Sequence, residues 1–149
     1  MSVITGSSST EAAAPIERCW ALVEDVAIAP EWQGGLERMD VVEKDDQGRV
    51  LIADALSDAK LRKVKTRVRF TYEGPTRLSW KMIEGELESM EGSWELEDLG
   101  GDRTRITYNV AVDPGGHIPR LIRGPIESAA RAILVNGRAN ELAKRVTEG

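Results

Sequence analysis

The sequence predicts an α+β domain in which a seven-stranded antiparallel β-sheet wraps around a long C-terminal α-helix, in the order β-α-α-β6-α. Six consecutive segments alternate apolar and polar residues with the period of a strand. An amphipathic helix precedes them, and the last segment is helical by composition and apolar on two sides. Because no repeat or low-complexity linker divides the chain, we expect residues 1–149 to form a single domain.

The helical region after the first strand begins at "PIERCWALVED". Pro15 suits the first helical position, and Pro30 is expected to end the helix because a proline disfavours helical geometry in the residue before it. Trp32 then lies between Pro30 and the pair Gly34-Gly35, in one short helical turn that closes the core. The buried stripe of the first helix is predicted at Ile16, Cys19, Trp20 and Val23.

The six alternating segments are joined by the short polar links "DDQG", "YEGPT", "GELES" and "LGGD", whose lengths are typical of antiparallel hairpins. With the strand that carries "GSSST", they complete the sheet. The segments are predicted at 36–45, 49–58, 60–72, 77–84, 90–98 and 103–112.

The final segment, "PRLIRGPIESAARAILVNGRANELAKRV", is predicted to be one long helix with a break or kink near Gly124-Pro125. A helix that covers one surface needs an apolar stripe of roughly 100°, and this segment has about twice that. It is therefore expected to contact two apolar neighbours. Its narrow polar arc is formed by Arg123, Glu127, Arg131, Arg138, Glu141 and Arg145.

Large aromatic residues fall on the inward side of neighbouring strands. The hairpins would place Trp80 near Trp94 and Gly92 near Tyr108, as a band across the sheet. Glycines on facing elements favour a cavity between sheet and helix. The alternative is that the aromatic side chains fill the core and leave no cavity. The candidate ligand-binding residues are Phe70, Tyr72, Trp80, Met82, Trp94 and Tyr108 on the sheet, and Ile126, Ile133 and Gly137 on the helix.

Charge and composition exclude several classes of protein. The net charge of -5 argues against a nucleic-acid binder. The basic stripe of one strand, Lys63, Lys65, Arg67 and Arg69, is read as a solvated outer face, with an interaction surface as the alternative. The single cysteine, Cys19, allows no internal disulfide and no thiol metal site. With no leader and no apolar run long enough to span a membrane, we expect a cytoplasmic protein; a homodimer remains open.

Residues suited to acid and base chemistry are few. His117 is the only histidine and falls in the loop "DPGGHIP", where it is either a general acid or base at the cavity mouth or simply solvated. Asp54 and Arg62 fall on the inward side of neighbouring segments, where they would have to pair with each other. Tyr72 and Tyr108 offer a ring and a hydroxyl, for ligand binding or for core packing. We expect no metal site and no cofactor.

Two passages resemble a known family: "D-V-x-x-x-P-E-W", from Asp25 to Trp32, and "W-E-L-E-D-L-G-G-D-R-T-R-I-T-Y", from Trp94 to Tyr108. With the final amphipathic helix, they look like the polyketide cyclase/dehydrase and coenzyme-Q-binding branch of the START, or helix-grip (SRPBCC), superfamily. The resemblance spans essentially the whole chain and implies a sheet that grips the C-terminal helix around a hydrophobic cavity.

The resemblance says little about a reaction, because it carries over no catalytic signature. We therefore expect a cofactor-free protein that binds a lipid, an isoprenoid quinone or a polyketide. The alternative is a polyketide cyclase/dehydrase in which His117, Tyr108 or the Asp54/Arg62 pair moves protons.

Overall fold

Seven strands form one antiparallel sheet in the computed structural model, which describes residues 4–34, 36–58, 63–113 and 137–148. The spatial order is β1-β7-β6-β5-β4-β3-β2, so the first strand joins the last and every other strand pairs with its neighbour in sequence. The predicted fold class is confirmed. The strands are β1 (Ile4–Ala12), β2 (Leu36–Lys44), β3 (Val50–Asp58), β4 (Lys63–Glu73), β5 (Arg77–Gly85), β6 (Ser89–Gly100) and β7 (Arg103–Asp113).

The alternation in β4 shows why these segments are strands. Val64, Val68 and Phe70 are buried on the inner face, whereas the basic residues between them lie on the outer face. Acidic residues of neighbouring strands meet this basic stripe: Lys63 Nζ is 3.1 Å from Glu37 Oε2, and Arg67 pairs with Asp54. Mixed charges on neighbouring strands therefore account for part of the stripe.

Two helical segments follow β1 and pack on the sheet. Helix α1 (Ile16–Glu24) contacts β6 and β7, and a 3₁₀ helix (Val26–Glu31) contacts β2. Pro15 is the residue just before α1 rather than its first helical residue. The prediction that Pro30 ends α1 is also wrong. Asp25 already leaves helical geometry, with φ -84 and ψ 72, and Pro30 lies inside the 3₁₀ helix that follows.

The C-terminal helix α2 (Arg138–Glu148) packs on β1, α1 and β7, and it buries Ala139, Leu142 and Val146. The predicted long helix does not run through Gly137, because φ there is +87, a left-handed conformation incompatible with an α-helix. Helix α2 therefore begins directly after it. The part of the prediction that concerns residues 114–136 lies outside the described residues.

The aromatic band exists, but its predicted register is wrong by two residues. Trp80 lies opposite Gly92, not Trp94, and Trp94 lies opposite Tyr108. Strand β5 ends at Gly85 and β6 starts at Ser89, so the turn between them differs from the link read in the sequence. Because the period of a strand is two residues, this shift keeps every side chain on its predicted face and changes only its neighbour.

The core lies between the inner face of the sheet and the helices. Both helices and the sheet contribute fully buried side chains to it: Cys19 in α1, Ile106 in β7 and Leu142 in α2. No helix in the described part of the chain is long and apolar enough to cross a membrane.

Candidate functional site

A cavity of about 120 Å³ lies between the inner face of the sheet and the helical segments. The first helical segments contribute Val23, Val26, Ala29 and Trp32 to its wall, strands β2 to β7 contribute most of the rest, and α2 contributes Arg138. The wall is mostly apolar, with a few polar groups, which is the usual composition of a small-molecule site.

Aromatic rings form the centre of the cavity wall. The Trp94 ring centroid is 4.7 Å from that of Tyr108 and 5.7 Å from that of Trp32. Trp80 joins the cluster at 5.7 Å from Tyr108. All of these pairs are tilted, the geometry that aromatic quadrupoles favour over face-to-face stacking. The cluster links the 3₁₀ helix to β5, β6 and β7.

Gly92 makes room for this cluster. A Cβ atom at Gly92 would lie 2.5 Å from Trp80 Cζ2 and 2.7 Å from the Asn109 carbonyl oxygen, far inside van der Waals contact. Because the glycine has no side chain, the Trp80 indole can lie over the neighbouring strand and line the cavity. A side chain at this position would displace the indole.

The predicted ligand-binding residues are divided by the structure. Phe70, Trp80, Trp94 and Tyr108 lie in the cavity wall. Met82 is on the inner face opposite Val68 but outside the described lining. Ile126 and Ile133 lie outside the described residues. Leu78 and Met90, together with the residues contributed by the first helical segments, line the cavity although they were not among the predicted ligand-binding residues.

Gly137 does not line the cavity either. No described atom lies within 4 Å of the position that its Cβ would take. Gly137 is not part of the described lining of the cavity, so its role in leaving room there stays a prediction. Its left-handed φ explains the glycine, because other residues adopt that conformation at a cost.

Tyr72 belongs to a separate, fully bonded network. Its hydroxyl donates to the Val50 carbonyl oxygen at 2.5 Å, and the Arg49 guanidinium carbon lies 4.4 Å from the centre of its ring. Arg49 Nε donates to Asp45 Oδ2 at 2.8 Å, and Arg49 Nη1 is 3.6 Å from Glu24 Oε2. Burial raises the pKa of Tyr72. This Tyr72 network (Glu24, Asp45, Arg49, Val50 and Tyr72) fixes the hairpin formed by β2 and β3 to β4.

The expectation that Asp54 points inward is wrong. Asp54 lies opposite Arg67 in the sheet and accepts from Arg67 Nε at 2.8 Å on the outer face. The hydrogen bonds from Arg67 lower the pKa of this carboxyl. Ala55 and Ser57, two small residues of β3, face the cavity instead. The side of β3 that carries the bulkier residues was therefore wrongly taken as its inner face. The proposed partner Arg62, and also His117, lie outside the described residues.

Three buried side-chain atoms have no hydrogen-bond partner among the described residues: Trp32 Nε1, Thr66 Oγ1 and Arg138 Nε. All three residues line the cavity, and together we call them the polar wall. Such unpaired buried groups are rare in native proteins, and each calls for an explanation, such as a functional role or a bound water. A threonine on the inward side of β4, between Val64 and Val68, was a visible signal for one of them.

Arg138 was assigned to the narrow polar arc of the final helix, yet its side chain is only 9% exposed. Its Nη1 donates to the Gly34 carbonyl oxygen and lies 2.8 Å from Glu141 Oε1. Glu141 in turn accepts from the Gly34 N–H, at 3.1 Å for Oε1 and 3.2 Å for Oε2. Arg138 and Glu141 therefore hold the chain just after Trp32 against α2, and the buried Nε–H of Arg138 is left without a partner among the described residues.

Tyr108 is the titratable neighbour of this pair. Burial raises its pKa to about 12, while Arg138 acts to lower that value and Glu141 to raise it. The phenol is therefore protonated at neutral pH. It can donate a proton or a hydrogen bond, but it is not a base under those conditions.

The chain matches a known protein family over most of its length. A family model described as "Polyketide cyclase / dehydrase and lipid transport" matches residues 12–137. Among curated protein sequences, none is similar enough to count as a match.

Solved structures share the fold at low sequence identity. A START superfamily protein from Mycobacterium smegmatis superposes with a TM-score of 0.81 at 18% identity, covering 97% of each chain. A protein from Thermus thermophilus gives 0.80, also at 18% identity and 97% of each chain. The Zhui aromatase/cyclase from Streptomyces sp. R1128 gives 0.75 at 15% identity, covering 99% of this chain and 95% of its own. At these identities the likeness concerns the fold alone.

Proposed function

Because the chain belongs to the polyketide cyclase / dehydrase and lipid transport family, we propose that it binds a hydrophobic small molecule in the cavity between sheet and helices. The observation that carries the proposal is the aromatic cluster of Trp32, Trp80, Trp94 and Tyr108, which surrounds unfilled space. Apolar cavities of this kind bind ligands by removing apolar surface from water. Lipids, isoprenoid quinones and polyketides all offer such surface.

The size of the cavity limits what it encloses. A dry apolar cavity of roughly 150 Å³ admits a benzene molecule. The 120 Å³ found here therefore matches one ring-sized group. We infer that the cavity encloses a ring-sized molecule or the ring-sized end of a longer one.

The chemistry of the wall favours binding over catalysis. Among the described residues that line the cavity, the ionisable side chains are Tyr108 and Arg138. Tyr108 holds its proton at neutral pH because burial raises its pKa, and an arginine is charged at any ordinary pH. Neither accepts a proton, so the described wall offers no general base.

A polyketide cyclase or dehydrase is the second candidate, and one observation favours it. The protonated Tyr108 phenol lies in the wall, where it is placed to donate a proton or a hydrogen bond to a bound carbonyl. In that case the cavity would orient the reacting chain, and the base would come from outside the described lining.

The binding proposal is tested by filling the cavity. Ala29 lies in the wall, whereas Ala27, in the same 3₁₀ helix, is exposed. Ala29→Phe places a phenyl ring in the cavity, and Ala27→Phe places the same ring in solvent. We expect cumene to shift the indole N–H NMR signals of the wild-type protein and of Ala27→Phe, and to leave those of Ala29→Phe unchanged.

Equal shifts in all three proteins would contradict the proposed cavity, because the ligand would then bind elsewhere. No shift in the wild-type protein would contradict hydrophobic binding itself. Thermal unfolding of both variants shows whether each still folds cooperatively.

A further inference from the structure

The polar wall restricts the chemistry of a ligand. An indole Nε1–H and an arginine Nε–H can only donate hydrogen bonds, whereas a threonine hydroxyl can donate or accept. Two of the three unpaired atoms of the polar wall are therefore obligatory donors, at Trp32 and Arg138. A purely hydrocarbon ligand would leave both donors buried without a partner, which is unfavourable. The complementary ligand carries an acceptor oxygen.

The residues that carry the two donors are linked through Gly34. Trp32 precedes Gly34 by two residues, and the Gly34 carbonyl oxygen accepts from Arg138 Nη1. Trp32 also packs against Trp94, which contacts Tyr108. Thr66 approaches from β4, on the sheet. An oxygen near Trp32 and Arg138 would thus project from a ring that contacts the aromatic cluster.

Charge balance favours a neutral oxygen over a carboxylate. Arg138 Nη1 is 2.8 Å from Glu141 Oε1, so the positive charge of the guanidinium is already compensated. Glu141 and Arg138 also act in opposite directions on the pKa of Tyr108, as a neutral pair close to it would. A second carboxylate beside Arg138 would be repelled by Glu141 in a site screened from water.

We propose that the cavity selects a ring bearing a neutral carbonyl group, whose oxygen accepts hydrogen bonds from Arg138 Nε–H and Trp32 Nε1–H. Thr66 supplies a further polar contact from the sheet. This inference rests on the proposed function, and it adds the chemical class of the group that the cavity encloses.

Three probes of equal size separate the contributions of the ring, the neutral oxygen and a negative charge to binding. Acetophenone carries a ketone, cumene replaces it with a hydrocarbon group, and benzoate replaces it with an anion. Binding is followed by NMR through the indole N–H signals and the arginine Nε–H signals. We expect acetophenone to bind about tenfold more tightly than cumene, and benzoate more weakly than acetophenone. Both ligands should perturb the indole N–H signals through their rings, but acetophenone alone should move the Trp32 and Arg138 N–H signals downfield, as a new hydrogen bond does.

Conservative variants assign the contacts. Trp32→Phe keeps an aromatic ring and removes the donor, and Thr66→Val keeps the shape and removes the hydroxyl. Each is expected to weaken acetophenone binding about fivefold and to change cumene binding less than twofold. The matched control is Trp20→Phe, because Trp20 packs against Gly74 outside the cavity wall and its loss should leave both affinities unchanged. The contact of Arg138 is followed through its own Nε–H signal and not by substitution, because Arg138 also holds Gly34 in place.

Each result has one meaning. Equal binding of acetophenone and cumene, with no downfield shift, overturns the carbonyl subsite and leaves the hydrophobic cavity standing. Tightest binding of benzoate overturns the selection for a neutral group. If no probe binds, the proposed function fails and the subsite fails with it. An effect of Trp20→Phe as large as that of Trp32→Phe would make the loss structural and also overturn the assignment.

Discussion

The Tyr72 network and the polar wall are built from similar residues and differ in how they are bonded. Each combines an aromatic side chain with an arginine and a neighbouring carboxylate. In the Tyr72 network the hydroxyl reaches Val50 and the guanidinium reaches Asp45, Glu24 and the ring. In the polar wall, Arg138 Nε and Trp32 Nε1 have no partner within the described ranges of the chain. On our proposal, this difference separates a structural cluster from a ligand-binding one.

The largest effect is expected from Arg49→Ala, because Arg49 holds together most of the Tyr72 network. Loss of its contacts with the Tyr72 ring, Asp45 and Glu24 should lower the free energy of unfolding by about 2 kcal/mol. Urea denaturation measures this. Arg105→Ala is the control: Arg105 pairs with Glu97 in a more exposed position, so we expect about 0.5 kcal/mol or less. Equal losses would show that the Tyr72 network has no special structural role.

Tyr72→Phe tests one bond of the same network. Removing the hydroxyl leaves the Val50 carbonyl oxygen without this donor, and we expect a loss of about 1 kcal/mol in the free energy of unfolding. Cumene affinity should not change, because Tyr72 lies outside the cavity wall. A weaker affinity at unchanged stability would move Tyr72 into the binding site.

Thr66→Val should have the opposite sign in the ligand-free protein. The Thr66 hydroxyl is buried and has no partner among the described residues, so replacing it with a methyl group removes a desolvation penalty. We expect the free energy of unfolding to rise by about 0.5 kcal/mol. Urea denaturation without ligand checks the sign. A loss comparable to that of Tyr72→Phe would mean that this hydroxyl has a partner in the folded protein, and the contrast between the two clusters would weaken.

The smallest effect concerns the exposed pair of Asp54 and Arg67, which belongs to neither cluster. Hydrogen bonds from Arg67 lower the pKa of Asp54 in the folded protein. The pair therefore stabilises the fold above the unfolded pKa of about 4, and that contribution disappears as pH falls through the lower folded pKa. The small stability difference between wild type and Asp54→Asn should shrink when urea denaturation is repeated at lower pH. A difference that grows on acidification would contradict this assignment.

The sequence was a good guide to the fold because the alternating pattern and the short polar links constrain strands locally. It placed Trp80, Trp94 and Tyr108 on the correct face. Their neighbours were wrong by two residues, because register depends on where β5 turns into β6 and on the irregularity near Asp98 in the β6–β7 hairpin.

The polar wall was harder to predict. Arg138 looked like a surface residue, and its burial depends on contact with Gly34, 104 residues away in the chain. Asp54 was misassigned for a related reason: the face of β3 that lies inward is decided by packing against the rest of the fold, not by the bulk of its own side chains. Long-range contacts of this kind leave no periodic signal in the sequence.

The central claim is that the cavity holds a hydrophobic ligand, and native mass spectrometry of the purified protein tests it most directly. Comparison of the native mass with the denatured mass reveals any bound molecule, and Ala29→Phe serves as the filled-cavity reference. We predict a releasable hydrophobic adduct on the wild-type protein that is missing from Ala29→Phe. An adduct of equal occupancy on both proteins would contradict the account, because the ligand would then lie outside the cavity.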